Sequence, residues 1–220
     1  MIALDLPGFG ASPPFADGSF ELDRVGDRIH AALAELGVEK PILLGHSTGG
    51  GVAIHFAATR PAFVFGLVVI APAGLIATGA VRPSWRRPRL HAAGRVVTQL
   101  AAPLVRLPAL RDRVFSRLAV HTESLDVAEL ARGAAVARST PAAGITIVHA
   151  GLRDRLDRLT MPTLVIWGGQ DRVIWPGFAE QLNETLPDAE LLFVPDAGHL
   201  VFLEHVDAVI DAVTTRFPLQ

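Results

Sequence analysis

Short apolar runs and apolar stripes alternate along this chain. Ile2 to Leu4, Ile42 to Leu44, Leu67 to Ile70, Thr163 to Trp167 and Glu190 to Val194 are runs of strand length. Runs of this kind read as buried strands. The stripes lie between and after them. Glu21 to Leu36 carries Leu22, Val25, Ile29, Leu33 and Leu36 at helical spacing, and Gly37 is a C-terminal stop signal. Val52, Ala53, Phe56 and Ala57 repeat the spacing after the second run, and Leu203 to Phe217 forms a closing amphipathic stretch. Strands alternating with helices predict an α/β fold, a mostly parallel sheet with helices on both faces.

Residues 75–158 break the rhythm with helical patterns, several prolines and no clear buried strand. An insertion of this size between two sheet strands predicts a helical cap over the site end of a core built from residues 1–74 and 159–220. Charge sharpens this division. The insertion holds 14 of the 20 basic and 6 of the 22 acidic residues, about +8, against about −10 for the rest. Two readings stand: a basic cap docked on an acidic body, or attraction of an acidic substrate or anionic surface, with Arg82, Arg86, Arg87 and Arg89 foremost.

Composition narrows the chemistry. With 220 residues, half of them hydrophobic, the chain can bury one sizeable core. A net charge of −2 supplies no global field for nucleic acid. The lack of cysteine excludes disulfides and thiolate chemistry, and the lack of tyrosine excludes a phenol as acid, base or donor. No apolar run reaches transmembrane length and no signal-peptide pattern opens the chain, so a cytoplasmic location is the default expectation. Gly8-Phe9-Gly10 lacks the rest of a dinucleotide fingerprint, and no cofactor or metal signature is present in the sequence.

One pattern carries chemistry directly. Gly45-His46-Ser47-Thr48-Gly49 is a G-x-S-x-G sequence between a strand run and a helical stripe. A serine at a sharp strand-to-helix turn is exposed at the sheet's end, above unpaired helix N–H groups that favour a developing oxyanion. Together with I-A-L-D-L-P-G-F-G-A-S, W-G-G-Q-D and P-D-A-G-H, in order from residue 2 to residue 199, G-H-S-T-G-G resembles the α/β-hydrolase superfamily. The resemblance covers nearly the whole chain. It implies a fold and a reaction type well and a substrate poorly.

The resemblance implies a nucleophile, acid and histidine in that chain order. Ser47 is the candidate nucleophile. A serine hydroxyl needs a base, and the base needs a third group to fix its tautomer. Of the downstream histidines His149, His199 and His205, His199 follows the last strand, where loops gather at the sheet's carboxyl end. Asp171 matches the family's usual acid position. Asp196 is a rival that also reads as a turn residue, Asp5 reads as a bond to local backbone, and Ala71-Pro72-Ala73-Gly74 offers no carboxylate. The backbone N–H of Thr48 is the expected oxyanion donor, while the Gly-rich loop that would supply a second is missing from the sequence. The chain starts where the family's fourth strand would be. It is therefore expected to be a fragment or a late-start gene model; a short protein with Ile2–Leu4 pairing directly beside Ile42–Leu44 is the alternative.

These residues point to a serine hydrolase acting on an ester, thioester, lactone or ketone-adjacent carbon–carbon bond. The serine argues against relatives that use a carboxylate nucleophile. A cofactor-free peroxidase-like activity on the same residues, or a binding protein that kept them without turnover, are the competing readings. Leu200, Val201 and Val173 are expected to line an apolar pocket suited to a medium-sized acyl group, one that carries an anionic group if the arginine reading holds.

Overall fold

A computed structural model describes residues 1–75, 112–113, 115–126, 147 and 150–218. Among the described residues, four parallel strands form one sheet in chain order: β1 (Ile42–His46), β2 (Gly66–Ile70), β3 (Thr163–Gly168) and β4 (Ala189–Val194). β2 and β3 are buried along their whole length, as strands covered on both faces must be. The α/β class read from the sequence is the class observed.

The strand pleat sends alternate residues to opposite faces. Leu67, Val69, Val165 and Trp167 join the larger core cluster, whose helices are α1 (Leu22–Glu35), α2 (Thr48–Thr59) and α3 (Gly177–Thr185). Val68, Ile70, Leu164 and Ile166 pack on the other side with α4 (Val201–Glu204) and α5 (Val206–Arg216). The closing stripe is therefore two helices, broken at His205, whose backbone (φ −132°, ψ 57°) is not helical. The apolar pattern had not singled out α3. It buries only Ala179 and Leu182.

α1 ends as its sequence indicated. Gly37, at φ 69°, donates its N–H to Ala34 O (3.0 Å), and Val38 N donates to Leu33 O (2.9 Å). This pair of bonds is a Schellman stop, which satisfies carbonyls that the helix leaves open. α2 is buried nearly all round, and its one ring of ionisable chemistry is His55. Arg155 Nη1 lies 3.2 Å from His55 Nδ1 and Asp23 Oδ1 lies 2.9 Å from Nε2. Arginine can only donate, so Nδ1 accepts and Nε2–H donates to Asp23. Burial holds the His55 pKa below its usual value. The neutral ring thus ties α1 and the 3₁₀ segment Leu152–Arg158 to α2.

The expected strand Ile2–Leu4 does not form: residues 1–5 are exposed, and the sheet ends at β1. A strand exists by virtue of its ladder, and here no described residue pairs with either side of this segment. The direct pairing with Ile42–Leu44 is likewise not observed. Ile42 and Leu44 remain 42% and 59% exposed on the edge strand, far more than their counterparts on β2. The strand run and the buried helix after it were thus legible, while the exposure of Ile42 and Leu44 was not. Most of the region assigned to the cap, including Arg82, Arg86, Arg87 and Arg89, lies outside the described residues. Among the described residues, no helix is long and apolar enough to cross a membrane.

Phe56 sits in α2 with no exposed surface, edge-on to Phe63 and beneath Arg60. Truncating it should leave a cavity between α1, α2 and the sheet. Phe56→Ala should cost about 3–5 kcal/mol in chemical denaturation, with an unchanged denaturant slope.

Candidate active site

Ser47 joins β1 to α2 at φ 51°, ψ −116°, a left-handed value that a non-glycine residue adopts only when its surroundings enforce it. Three backbone bonds do so. Ser47 N donates to Ile70 O (2.9 Å), and Ser47 O accepts from Gly51 N (3.0 Å) and Ala73 N (2.9 Å). Gly45 permits the tight reversal, because a Cβ there would stand 2.3 Å from Gly49 O. The Gly51 bond is the first of the helix, so the amides of Thr48, Gly49 and Gly50 precede the intrahelical ladder.

Asp171 lies in the turn after β3, and His199 in the loop after β4. All three candidate residues therefore follow the carboxyl ends of parallel strands. The end of β3 and the His199 loop approach so closely that a Cβ on Gly168 would meet Gly198 O at 2.1 Å. Asp171 and His199 are buried, and His199 Nδ1 is 2.7 Å from Asp171 Oδ2. The other carboxylate oxygen, Oδ1, accepts from Val173 N (2.7 Å) and Ile174 N (2.9 Å). These bonds fix the carboxylate plane, so Oδ2 has a set direction from which to orient the imidazole.

His46, the variable position before the serine, has a role that the motif did not reveal. Its Nε2–H donates to the His199 carbonyl (2.9 Å), and its ring packs at a tilt 4.6 Å from the His199 ring and 4.8 Å from that of Phe202. Glu204 is a second residue to which no motif points. Its Oε1 accepts from Gly198 N (2.8 Å), while Oε2 accepts from Val120 N (2.6 Å) and His121 N (2.9 Å). Both residues hold the loop that carries His199, through contacts to residues 153 and 6 positions away in sequence.

The rivals go elsewhere. Asp196 is exposed and faces His121 and His205, not His199. Asp5 accepts from Ala11 N (2.9 Å), the local bond expected of it. His205 lies between α4 and α5, and His149 lies outside the described residues. A cavity of about 530 Å³ opens beside Ser47 and Thr48, lined by Leu75, Val173, Ile174, Trp175 and Phe178 among others. Val173 is where it was expected. Val201 instead packs into the cluster under β2 and β3, and Leu200 packs against the Phe115, Ala119 and Leu125 cluster.

Chemistry gathered at the carboxyl ends of a parallel, helix-covered sheet defines an α/β protein of the open-sheet class. A sequence model of the alpha/beta hydrolase fold matches residues 1–206, and the chain belongs to that family. Over 217 residues it is 33% identical to the dihydrolipoyllysine-residue acetyltransferase component of the acetoin cleaving system of Pseudomonas putida. That match takes in 95% of this chain and 54% of the relative, so the chain spans about half of that protein's length. It is 29% identical over 224 residues to the pimeloyl-acyl-carrier protein methyl ester esterase of Neisseria meningitidis, covering 94% of this chain and 64% of the other. The solved bromoperoxidase of Bacillus anthracis shares the fold, with a TM-score of 0.74 at 18% identity over 96% of this chain and 79% of that one.

Burial, aided by the neighbouring His199 charge, pushes the His46 pKa down from 6.5 to about 4. Between these values the unfolded chain binds a proton that the folded chain does not. Stability should therefore be intact above pH 6.5 and fall as the pH drops towards 4, with His55 acting in the same direction. Denaturant midpoints measured from pH 7 to pH 4 should trace this fall, and His46→Gln should flatten it.

Proposed function

We propose that the chain is a serine hydrolase using Ser47, His199 and Asp171. The observation that carries this reading is the buried 2.7 Å Asp171–His199 pair at the same sheet end as a serine held at φ 51°. Ser47 Oγ adds to the substrate carbonyl carbon as its proton passes to His199 Nε2. Asp171, bonded to Nδ1–H, holds the tautomer that leaves Nε2 free to accept and stabilises the imidazolium that results. The carbonyl oxygen gains negative charge and takes a hydrogen bond from Thr48 N–H, one of the amides ahead of the α2 ladder. Collapse expels the leaving group, which takes the proton from His199. Water, deprotonated by the same histidine, then attacks the acyl-serine, releasing the acid and restoring Ser47.

The cavity supports a substrate class. About 530 Å³ lies within the usual range for a small-molecule site, and its walls of leucine, valine, isoleucine, tryptophan and phenylalanine suit a medium-sized apolar acyl group. Esters, thioesters, lactones and ketone-adjacent carbon–carbon bonds all present the electrophilic carbon that this arrangement attacks. Relatives named as an esterase and as an acetyltransferase component agree with acyl chemistry in general and select none of these.

A fluorophosphonate probe should label the folded chain, and Ser47→Ala should abolish labelling. Folded protein that resists the probe would favour a binding role instead. Asp171→Asn should leave the fold intact and lower kcat on a nitrophenyl ester by about 10⁴-fold, because the imidazole is then held in the wrong tautomer.

A further inference from the structure

His121 and His205 take no part in the site above, yet both direct Nε2 at one exposed carboxylate. His205 Nε2 is 3.6 Å from Asp196 Oδ1, and His121 Nε2 is 3.9 Å from Asp196 Oδ2. The ligand atoms of the three residues all lie within 4.8 Å of one another. The rings are 6.0 Å apart at 71°, so each presents its nitrogen to the shared acid without stacking on the other. At 3.6 Å and beyond, neither contact is a hydrogen bond. His205 Nε2 is shielded from solvent and has no hydrogen-bond partner among the described residues.

We propose that His121, Asp196 and His205 form a binding site for a divalent transition metal of the zinc class. Two imidazole nitrogens and one carboxylate oxygen are the donor types that zinc, cobalt, nickel and copper accept. In tetrahedral zinc coordination at about 2.0–2.1 Å, ligand atoms stand about 3.3 Å apart, so the two histidine–carboxylate separations of 3.6 Å and 3.9 Å must contract by about 0.3 and 0.6 Å, and the third, within 4.8 Å, by at most about 1.5 Å, a range that side-chain rotation covers. Three protein ligands leave a fourth position for water.

Two features build the site beyond the three ligands. Glu123 Oε1 is 3.4 Å from His121 Nδ1, the position of a carboxylate that orients a metal-binding imidazole from behind. Glu204 binds the backbone N–H groups of Val120, His121 and Gly198, so the segments carrying His121 and Asp196 are held together by an acid whose two oxygens are both already engaged. The ligands come from three separate stretches: the 115–126 segment, the loop that also carries His199, and the break between α4 and α5. A bound metal would clip the first of these to the other two.

The test uses the 220-residue chain stripped with EDTA and titrated with Co²⁺, then with Zn²⁺. One Co²⁺ per chain should give the intense visible absorption of a four-coordinate nitrogen and oxygen site, displaced by one equivalent of Zn²⁺. His121→Gln and His205→Gln should each abolish saturable binding while circular dichroism stays unchanged. Should either fail to fold, Asp196→Asn, an exposed substitution, should give the same loss. Glu123→Gln should weaken Zn²⁺ binding by about 10- to 100-fold, as loss of a carboxylate behind a ligand does. His199→Ala should leave Zn²⁺ affinity unchanged. The proposal is overturned if the unsubstituted chain binds neither ion saturably, or if binding survives the His121→Gln, His205→Gln double substitution.

Discussion

A non-glycine residue at φ 51° costs of order 1–3 kcal/mol, and the backbone around Ser47 must hold it there. It does so by spending the serine's own peptide groups. The N–H goes to the end of β2, and the carbonyl goes both to α2 and to the loop after β2. The turn is thus clamped between two neighbouring strand ends and a helix. This placement explains why β1 must pair with β2 in register through His46 and Ile70, and why the helix entering below the turn has to be narrow and apolar at its start. Relaxing the turn would require opening the β1–β2 ladder at its end.

How much of this was legible in the sequence varies with the range of the interaction. The run Ile42–Leu44, the stripe over Val52 and Phe56 and the stop at Gly37 are local patterns, and each element formed within a few residues of its signal. That Ser47, Asp171 and His199 lie at one end of the sheet could be read because each stands within two residues of a glycine just past a strand run. His46 and Glu204 could not, since their partners are set by tertiary approach: one reaches a carbonyl 153 residues away, and the other gathers amides from two segments. Ile2–Leu4 shows the opposite failure. Its apolar run has strand propensity, but a run supplies side chains and no ladder, and without a neighbour the backbone stays extended and exposed.

Histidine is used here in several unlike ways, sorted by what surrounds the ring. His55 and His46 are kept neutral by burial and serve as fixed donors, one to a carboxylate and one to a carbonyl. His199 is also buried, but with a carboxylate at one nitrogen, which is the setting for proton transfer at the other. His121 and His205 are half-buried around a common exposed acid. Sequence spacing alone distinguishes none of these settings, because each depends on which strand end or loop lies opposite the ring.

The two oxygens of Asp171 have different clients. Oδ2 meets the imidazole, and Oδ1 meets the amides of Val173 and Ile174, whose residues line the cavity. The cavity wall and the carboxylate bonded to His199 are consequently one mechanical unit, two or three residues long. Reshaping that wall to admit a different substrate would tilt the carboxylate as well. In the proposed mechanism, specificity and rate at this site are therefore inherited together, because Val173 and Ile174 serve the cavity and Asp171 at once.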